Sequence, residues 1–272
     1  MKIDPRLVHA VLAGGVTHPH LIEQWKSPDG PTYPMLETVV RGLDLDALRK
    51  FAGLNAKVRH SAVRTRLPFS FRLMSITGLE IDVFSAYACE CSRAARPFAA
   101  SVEQRAKDLI EFLRGWLDHR RSTHLMLWDL IRHEQAISTL SSPTDLRAEP
   151  ESSARIGAST LVTLVGAVEL VSTKYDPLQL IAALQEREPN IRPLRRSELL
   201  RCYWCRSDEG EIAMLSVDAA TFHIVSELRG TVRVSDVAWR VCGGRRPGKS
   251  LLAAISQLHR LGLVHLRSEP IQ

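Results

Sequence analysis

Leu199-Leu-Arg-Cys-Tyr-Trp-Cys205, Ser207-Asp-Glu-Gly210 and Glu211-Ile-Ala-Met-Leu-Ser-Val217 follow one another near the C-terminus. Two β-rich runs around a glycine-containing turn predict a hairpin. Helical patterns come next, over residues 219–228 and 235–242, and a third runs over residues 249–261. Gly262 is placed to end that helix as its C′ residue, and Leu263-Val-His-Leu266 reads as a further short strand. Strand, strand, three short helices, strand is the outline of a winged helix. The rest of the chain reads as support for this module.

Working upstream, Asp176-Pro177 opens a helix through Leu178, Leu180, Ile181 and Leu184. Thr160-Leu-Val-Thr-Leu-Val165 and Val168-Glu-Leu-Val171 are strand-like, with Gly166 between them. Before them lies Ser141-Ser-Pro-Thr-Asp-Leu-Arg-Ala-Glu-Pro-Glu-Ser-Ser153, the composition of a linker. The expected organisation is therefore α+β. A helical domain over 1–145 is expected to precede an α+β domain over 155–272 that contains the winged helix.

The first domain reads as a helical bundle. Ser101 and Gln104 form a capping box before the apolar stripe Val102, Ala106, Leu109, Ile110, Leu113 and Leu117. A second stripe runs through Leu127, Trp128, Ile131 and Ile137, started by Ser122 or Thr123. Helical faces also recur over 35–51, with a break near 42–44, and over 79–91. Pro68 must interrupt any helix between 58 and 74. Residues 1–34 are rich in proline and glycine, with short helices expected at 6–13 and 20–26.

The length of 272 residues suits one large or two ordinary domains, and 45% apolar with 24% charged residues is a globular composition. No apolar run approaches the roughly 20 residues that span a bilayer. Met1-Lys-Ile-Asp-Pro-Arg6 has an acid and a proline where a secretory signal builds its apolar region, so a cytoplasmic protein is expected, with no membrane partner. The net charge of +6 admits nucleic acid as a partner without requiring it. Residues 195–272 carry 12 Lys/Arg against 8 Asp/Glu, so the excess is mild and spread.

Five cysteines, Cys89, Cys91, Cys202, Cys205 and Cys242, argue against a disulfide framework. The pairs Cys89/Cys91 and Cys202/Cys205 do not make a zinc site. In a helix i and i+2 face different ways, and on a strand i and i+3 point to opposite faces. His18-Pro-His20 lacks a third ligand. Gly243-Gly-Arg-Arg-Pro-Gly-Lys249-Ser250 matches the letters of a phosphate loop, but a helix precedes it and only 22 residues follow. It reads as the turn between two helices. His133-Glu134 lacks the second histidine of H-E-x-x-H, and Asp129 with His133 is an ordinary i,i+4 pair. No activated nucleophile or acid–base couple emerges, so no catalytic residue, metal ligand or cofactor is assigned to this chain.

A winged helix that reads DNA uses polar and basic side chains on its last helix. Here Leu251 to Ile255 are five apolar residues in a row, and Arg245, Arg246 and Lys249 offer only phosphate contacts. Nucleic acid is therefore the weaker expectation, and a DNA-binding regulator the alternative. A strand edge beside an apolar helix accepts instead an extended peptide as an added strand. Ile212, Met214 and Ser216 on the strand, with Lys249, Leu252 and Ile255 on the helix, are the candidate peptide-binding residues.

The element order carries a resemblance. It runs from a Phe-Arg-Leu segment at 71–73, through Leu109-Ile-Glu-Phe-Leu113, to Leu130-Ile-Arg-His-Glu-Gln-Ala-Ile137. Val168-Glu-Leu-Val-Ser-Thr-Lys-Tyr-Asp-Pro177, the strand pair and Leu215-Ser-Val-Asp-Ala-Ala-Thr-Phe222 follow. Over most of 35–267 this resembles the partner subunits of multinuclear non-haem iron oxygenases that modify ribosomally made peptides. The methanobactin (MbnC) and 3-thiaglutamate (TglI) pathways have such subunits, and their C-terminal domain resembles the peptide-recognition winged helix of the PqqD type. The resemblance implies a subunit that is no enzyme on its own. It would bind an iron-bearing TIM-barrel oxygenase and a precursor or carrier peptide, with the iron held by the partner. It would present a peptide cysteine for excision of the β-methylene of a C-terminal residue toward 3-thiaglutamate. Conversion of internal cysteines to oxazolone and thioamide is the alternative within the same family.

Overall fold

The computed structural model describes residues 4–27, 30, 33–141, 156–205 and 211–268. The chain is mixed α+β and mostly helical, with two small antiparallel sheets. It divides into two compact units, Met1–Ile131 with Ile181–Arg192, and Arg132–Leu180 with Pro193–Gln272. The boundary expected between 145 and 155, and the turn expected at 207–210, lie outside the described residues.

The first unit is helical. It contains α1 (Pro5–Thr17), α2 (His20–Lys26), α3 (Pro34–Arg41), α4 (Leu45–Arg59), a 3-10 turn (Ser61–Thr65), α5 (Pro68–Ile76), α6 (Leu79–Arg93) and α7 (Val102–Trp116). The start of α8 (Ser122–Leu140) also belongs to it. The caps follow from the sequence. Asp44 accepts the Ala47 amide at 2.9 Å, and Pro68 sits in the first turn of α5, where its missing N–H costs nothing. The Gln104 amide reaches Ser101 Oγ at 3.1 Å, but the Gln104 side chain bonds Asp108 instead of closing the capping box.

Helices α4 and α6 approach closely because of Gly53. A Cβ there would stand 2.3 Å from Ser85 Oγ and 2.7 Å from the Ser85 amide. The buried Glu80 of α6 ties this pair together. Its carboxylate meets Lys57 Nζ at 2.8 Å and the Arg64 guanidinium of the 3-10 turn. His60, fully buried where α4 ends, packs edge-on against Tyr87 and Phe98, and burial pulls its pKa down.

The second unit holds both sheets. One has the order β5 (Val232–Arg233), β1 (Leu161–Leu164), β6 (Val264–Arg267); the other has β2 (Val168–Thr173), β3 (Leu199–Cys205), β4 (Ile212–Val217). The expected hairpin forms, with Tyr203 opposite Met214. It pairs with β2, whereas the terminal strand β6 pairs with β1, Leu161 opposite Arg267. Its helices are α10 (Ala219–Glu227), α11 (Val234–Cys242) and α12 (Lys249–Arg260), with the start of α9 (Pro177–Gln185), whose residues from Ile181 on belong to the first unit. Gly262 takes φ 71°, and the Leu263 amide bonds the Leu258 carbonyl at 2.9 Å, so α12 ends in the left-handed cap that glycine permits. Residues 243–248 join α11 to α12, helix to helix, as read from the sequence.

The sheet β2–β3–β4 is covered on both faces. Cys202 and Trp204, with Ala213, Leu215 and Val217, pack into the large cluster of Ile224, Val237, Leu251, Ile255 and Leu266. Val171 and Tyr203, with Ile212 and Met214, pack against Ala136 and Leu140 of α8. Two-sided burial explains why β3 reads as a continuous apolar run, broken by Arg201.

Candidate functional site

Strand β4 is an edge. Among the described residues it pairs only with β3, so every second backbone amide and carbonyl along 212–217 faces away from the sheet. Its side chains alternate between the two covered faces. Ile212 and Met214 are half-buried on the α8 side, and Ser216, of the same parity, is exposed. Ala213, Leu215 and Val217 are half-buried on the other side. An incoming strand would therefore meet a backbone rim flanked by apolar side chains.

The six candidate peptide-binding residues do not share one surface. Ile255 is fully buried in the cluster behind the sheet, and Leu252 packs partly against it. Lys249 is exposed in the first turn of α12. Ile212 and Met214 belong to the opposite face. What the strand and the helix share is the cluster formed through Ala213, Leu215 and Val217, one residue out of phase with the set chosen.

The opposite edge of this sheet is partly closed. The Arg132 guanidinium of α8 donates to the Ser172 carbonyl of β2. Below the sheet lies a polar group that sequence reading missed. His133 Nδ1 is 2.9 Å from Tyr203 Oη, and Arg201 donates to Asp176 Oδ1 at 2.6 Å. Asp176 also accepts the Leu178 amide at 2.9 Å, capping α9. Burial is the first cause of a His133 pKa lowered to about 4, and the nearby Arg201 cation adds to it. Burial likewise raises the Tyr203 hydroxyl and pushes the Cys202 thiol to about 12, so both stay protonated at neutral pH. Asp176 is held below the usual carboxylate range by Arg201 and by backbone donors, against an opposing effect of burial. The arrangement is a brace. It ties β3 to α8 through His133 and to the start of α9 through Asp176.

Cys89, Cys91 and Cys202 are buried free thiols, Cys205 is half-buried and Cys242 exposed. Among the described residues no three His, Cys, Asp or Glu side chains are grouped to hold a metal ion, and no helix is long and apolar enough to cross a membrane. No protein-family model matches the chain, and no curated protein matches it in sequence.

Proposed function

We propose that this chain is the peptide-presenting subunit of an iron-dependent peptide-modifying complex. It has no catalytic centre of its own. A precursor peptide adds to β4 as a fourth strand, and its cysteine is offered to the iron centre of a TIM-barrel oxygenase docked on the helical unit. The reaction we favour is excision of the β-methylene of a C-terminal cysteine, toward 3-thiaglutamate. The observation that carries the reading is the outer rim of β4 at 212–217, which no second strand pairs among the described residues.

The secondary-structure order of the second unit supports it. In this reading α10, α11 and α12 are the three helices of a winged helix, β5 is its first strand, and β6 with β1 forms the wing. The sheet β2–β3–β4 precedes the three helices and supplies the receiving edge. Linking two weak contacts, the bound leader and the cysteine at iron, gives the second an effective concentration on the order of mM when the tether fits the span.

The test is hydrogen exchange on the full chain, with and without a cysteine-containing peptide encoded beside its gene. Amides of 212–217 are expected to gain protection. A bound peptide that protects another segment and leaves these unchanged refutes the site. Exposed Arg245, Arg246 and Lys249 favour a second reading, a DNA-binding regulator. A gel shift with a steep salt slope would select it.

A further inference from the structure

A cleft of about 360 Å³ opens in the first unit. Ala52 and Ala56 of α4 and Ala88 of α6, all buried, make an apolar floor. Asn55, Arg59 and Arg96 bring polar groups to the rim, and no aspartate or glutamate lines it. The close approach of α4 and α6 at Gly53 is what sets these two walls together.

Arg96 is held there by unusual backbone. Ala95 is the one non-glycine residue with positive φ among the described residues, at 49°. Its amide bonds the Ser92 carbonyl at 3.1 Å, and the Arg96 amide bonds the Cys91 carbonyl at 2.8 Å. This is the left-handed cap that ends a helix, built on an alanine that pays a steric cost glycine would avoid. Strain of this kind persists where the surroundings demand it. The result is an Arg96 side chain folded back on the end of α6, with Nη2 3.7 Å from Cys91 Sγ. A thiol is a weak acceptor, so most of the guanidinium donors remain for another partner. Arg59 stands 5.8 Å over the Phe98 ring. Neither arginine is paired with a carboxylate among the described residues.

We infer that this cleft binds the carboxylate of a small, partly apolar molecule. Arg59 and Arg96 both line the cleft, the forked donors of a guanidinium suit the two oxygens of a carboxylate, and the alanine floor suits an aliphatic body. The site lies in the other unit from β4 and stands whether or not that edge binds peptide. The same chemistry is offered by a free carboxylic acid and by the chain end of a peptide.

Titration calorimetry of the full chain tests it with four probes: butyrate, n-butylamine, and the N-acetylated tripeptide Ala-Ala-Val with a free or an amidated C-terminus. Butyrate or the free tripeptide is expected to bind one to one, and the amine and the amide are not. A tighter free tripeptide identifies a chain end as the ligand, and a tighter butyrate identifies a free acid. Arg96→Gln and Arg59→Gln should each weaken binding about tenfold or more. Both side chains are exposed, so the thermal midpoint of the unliganded chain should stay unchanged. The inference is overturned if no carboxylate binds at up to about 10 mM. It is equally overturned if binding survives intact in both glutamine variants.

Discussion

His133 should make the second unit acid-sensitive, and replacing it should remove part of that sensitivity. In the folded chain its pKa is lowered to about 4 by burial, against about 6.5 in an unfolded chain. Above pH 6.5 neither state binds the proton, and the residue contributes nothing to the pH dependence. As pH falls through 6.5 the unfolded chain takes up a proton that the folded chain refuses, so stability falls. The loss levels off near pH 4, at about 3 kcal/mol in total, with about 2 kcal/mol of it gone by pH 5. The groups facing the ring are Tyr203, Arg201 and Asp176, and Asp176 alone among them favours the charged form.

His133→Gln keeps an amide within reach of Tyr203 Oη and deletes the titration. Urea unfolding of both proteins at pH 7.5 and pH 5 isolates the effect. His60, His124 and His265, whose pKa values burial also lowers, cancel in the difference. The wild-type midpoint should drop by about 1 M more than that of the variant, for a slope of about 2 kcal/mol per M. Equal drops would show that the folded state admits the proton, and that the brace beneath the sheet is open to water.

Three further outcomes are expected. Consecutive amides on β4 point to opposite sides, so of Met214→Pro and Leu215→Pro one removes an outward donor and the other breaks the ladder to β3. The outward one should fold and lose peptide affinity by tenfold or more, read by calorimetry, and two folded variants with unchanged affinity would place the peptide elsewhere. Gly53→Ala should destabilise the first unit by about 1–3 kcal/mol in denaturant melts, because Ser85 backbone blocks the added methyl; an unchanged melt would mean that α4 and α6 separate freely. The purified chain should carry no stoichiometric iron by metal analysis and consume no oxygen with peptide alone, and measured turnover would count against a partner-held iron centre.

Local signals were legible where they act within a turn or two. The caps at Ser101 and Gly262, and the period of α7 and α8, fix elements through bonds between near neighbours. Pro68 was a breaker in sequence and a starter in structure for one reason, its missing amide, which is harmless only in the first turn. The pairing of β1 with β6 had no such signal. Leu161 and Arg267 meet across more than a hundred residues, and short apolar strands pair with any edge of suitable length. Sequence separations of 70 and 25 residues likewise hid the contacts of His133 with Tyr203 and of Arg201 with Asp176.

The candidate edge shows where strand reading stops. A period of two correctly puts Ile212, Met214 and Ser216 on one face, but it cannot say which face meets α12 when Ala213, Leu215 and Val217 are apolar too. A sheet buried on both sides erases the polar phase that would mark solvent. Setting Ile212 and Met214 beside Leu252 and Ile255 is one residue out of step, and the α8 residues Ala136 and Leu140 fill that side instead. Backbone recognition is indifferent to this error. An added strand bonds to amides and carbonyls at the rim, whichever way the side chains point. In the peptide complex proposed here, affinity would therefore depend on the outer rim of β4, and selectivity on Ser216 and the half-buried side chains bordering it.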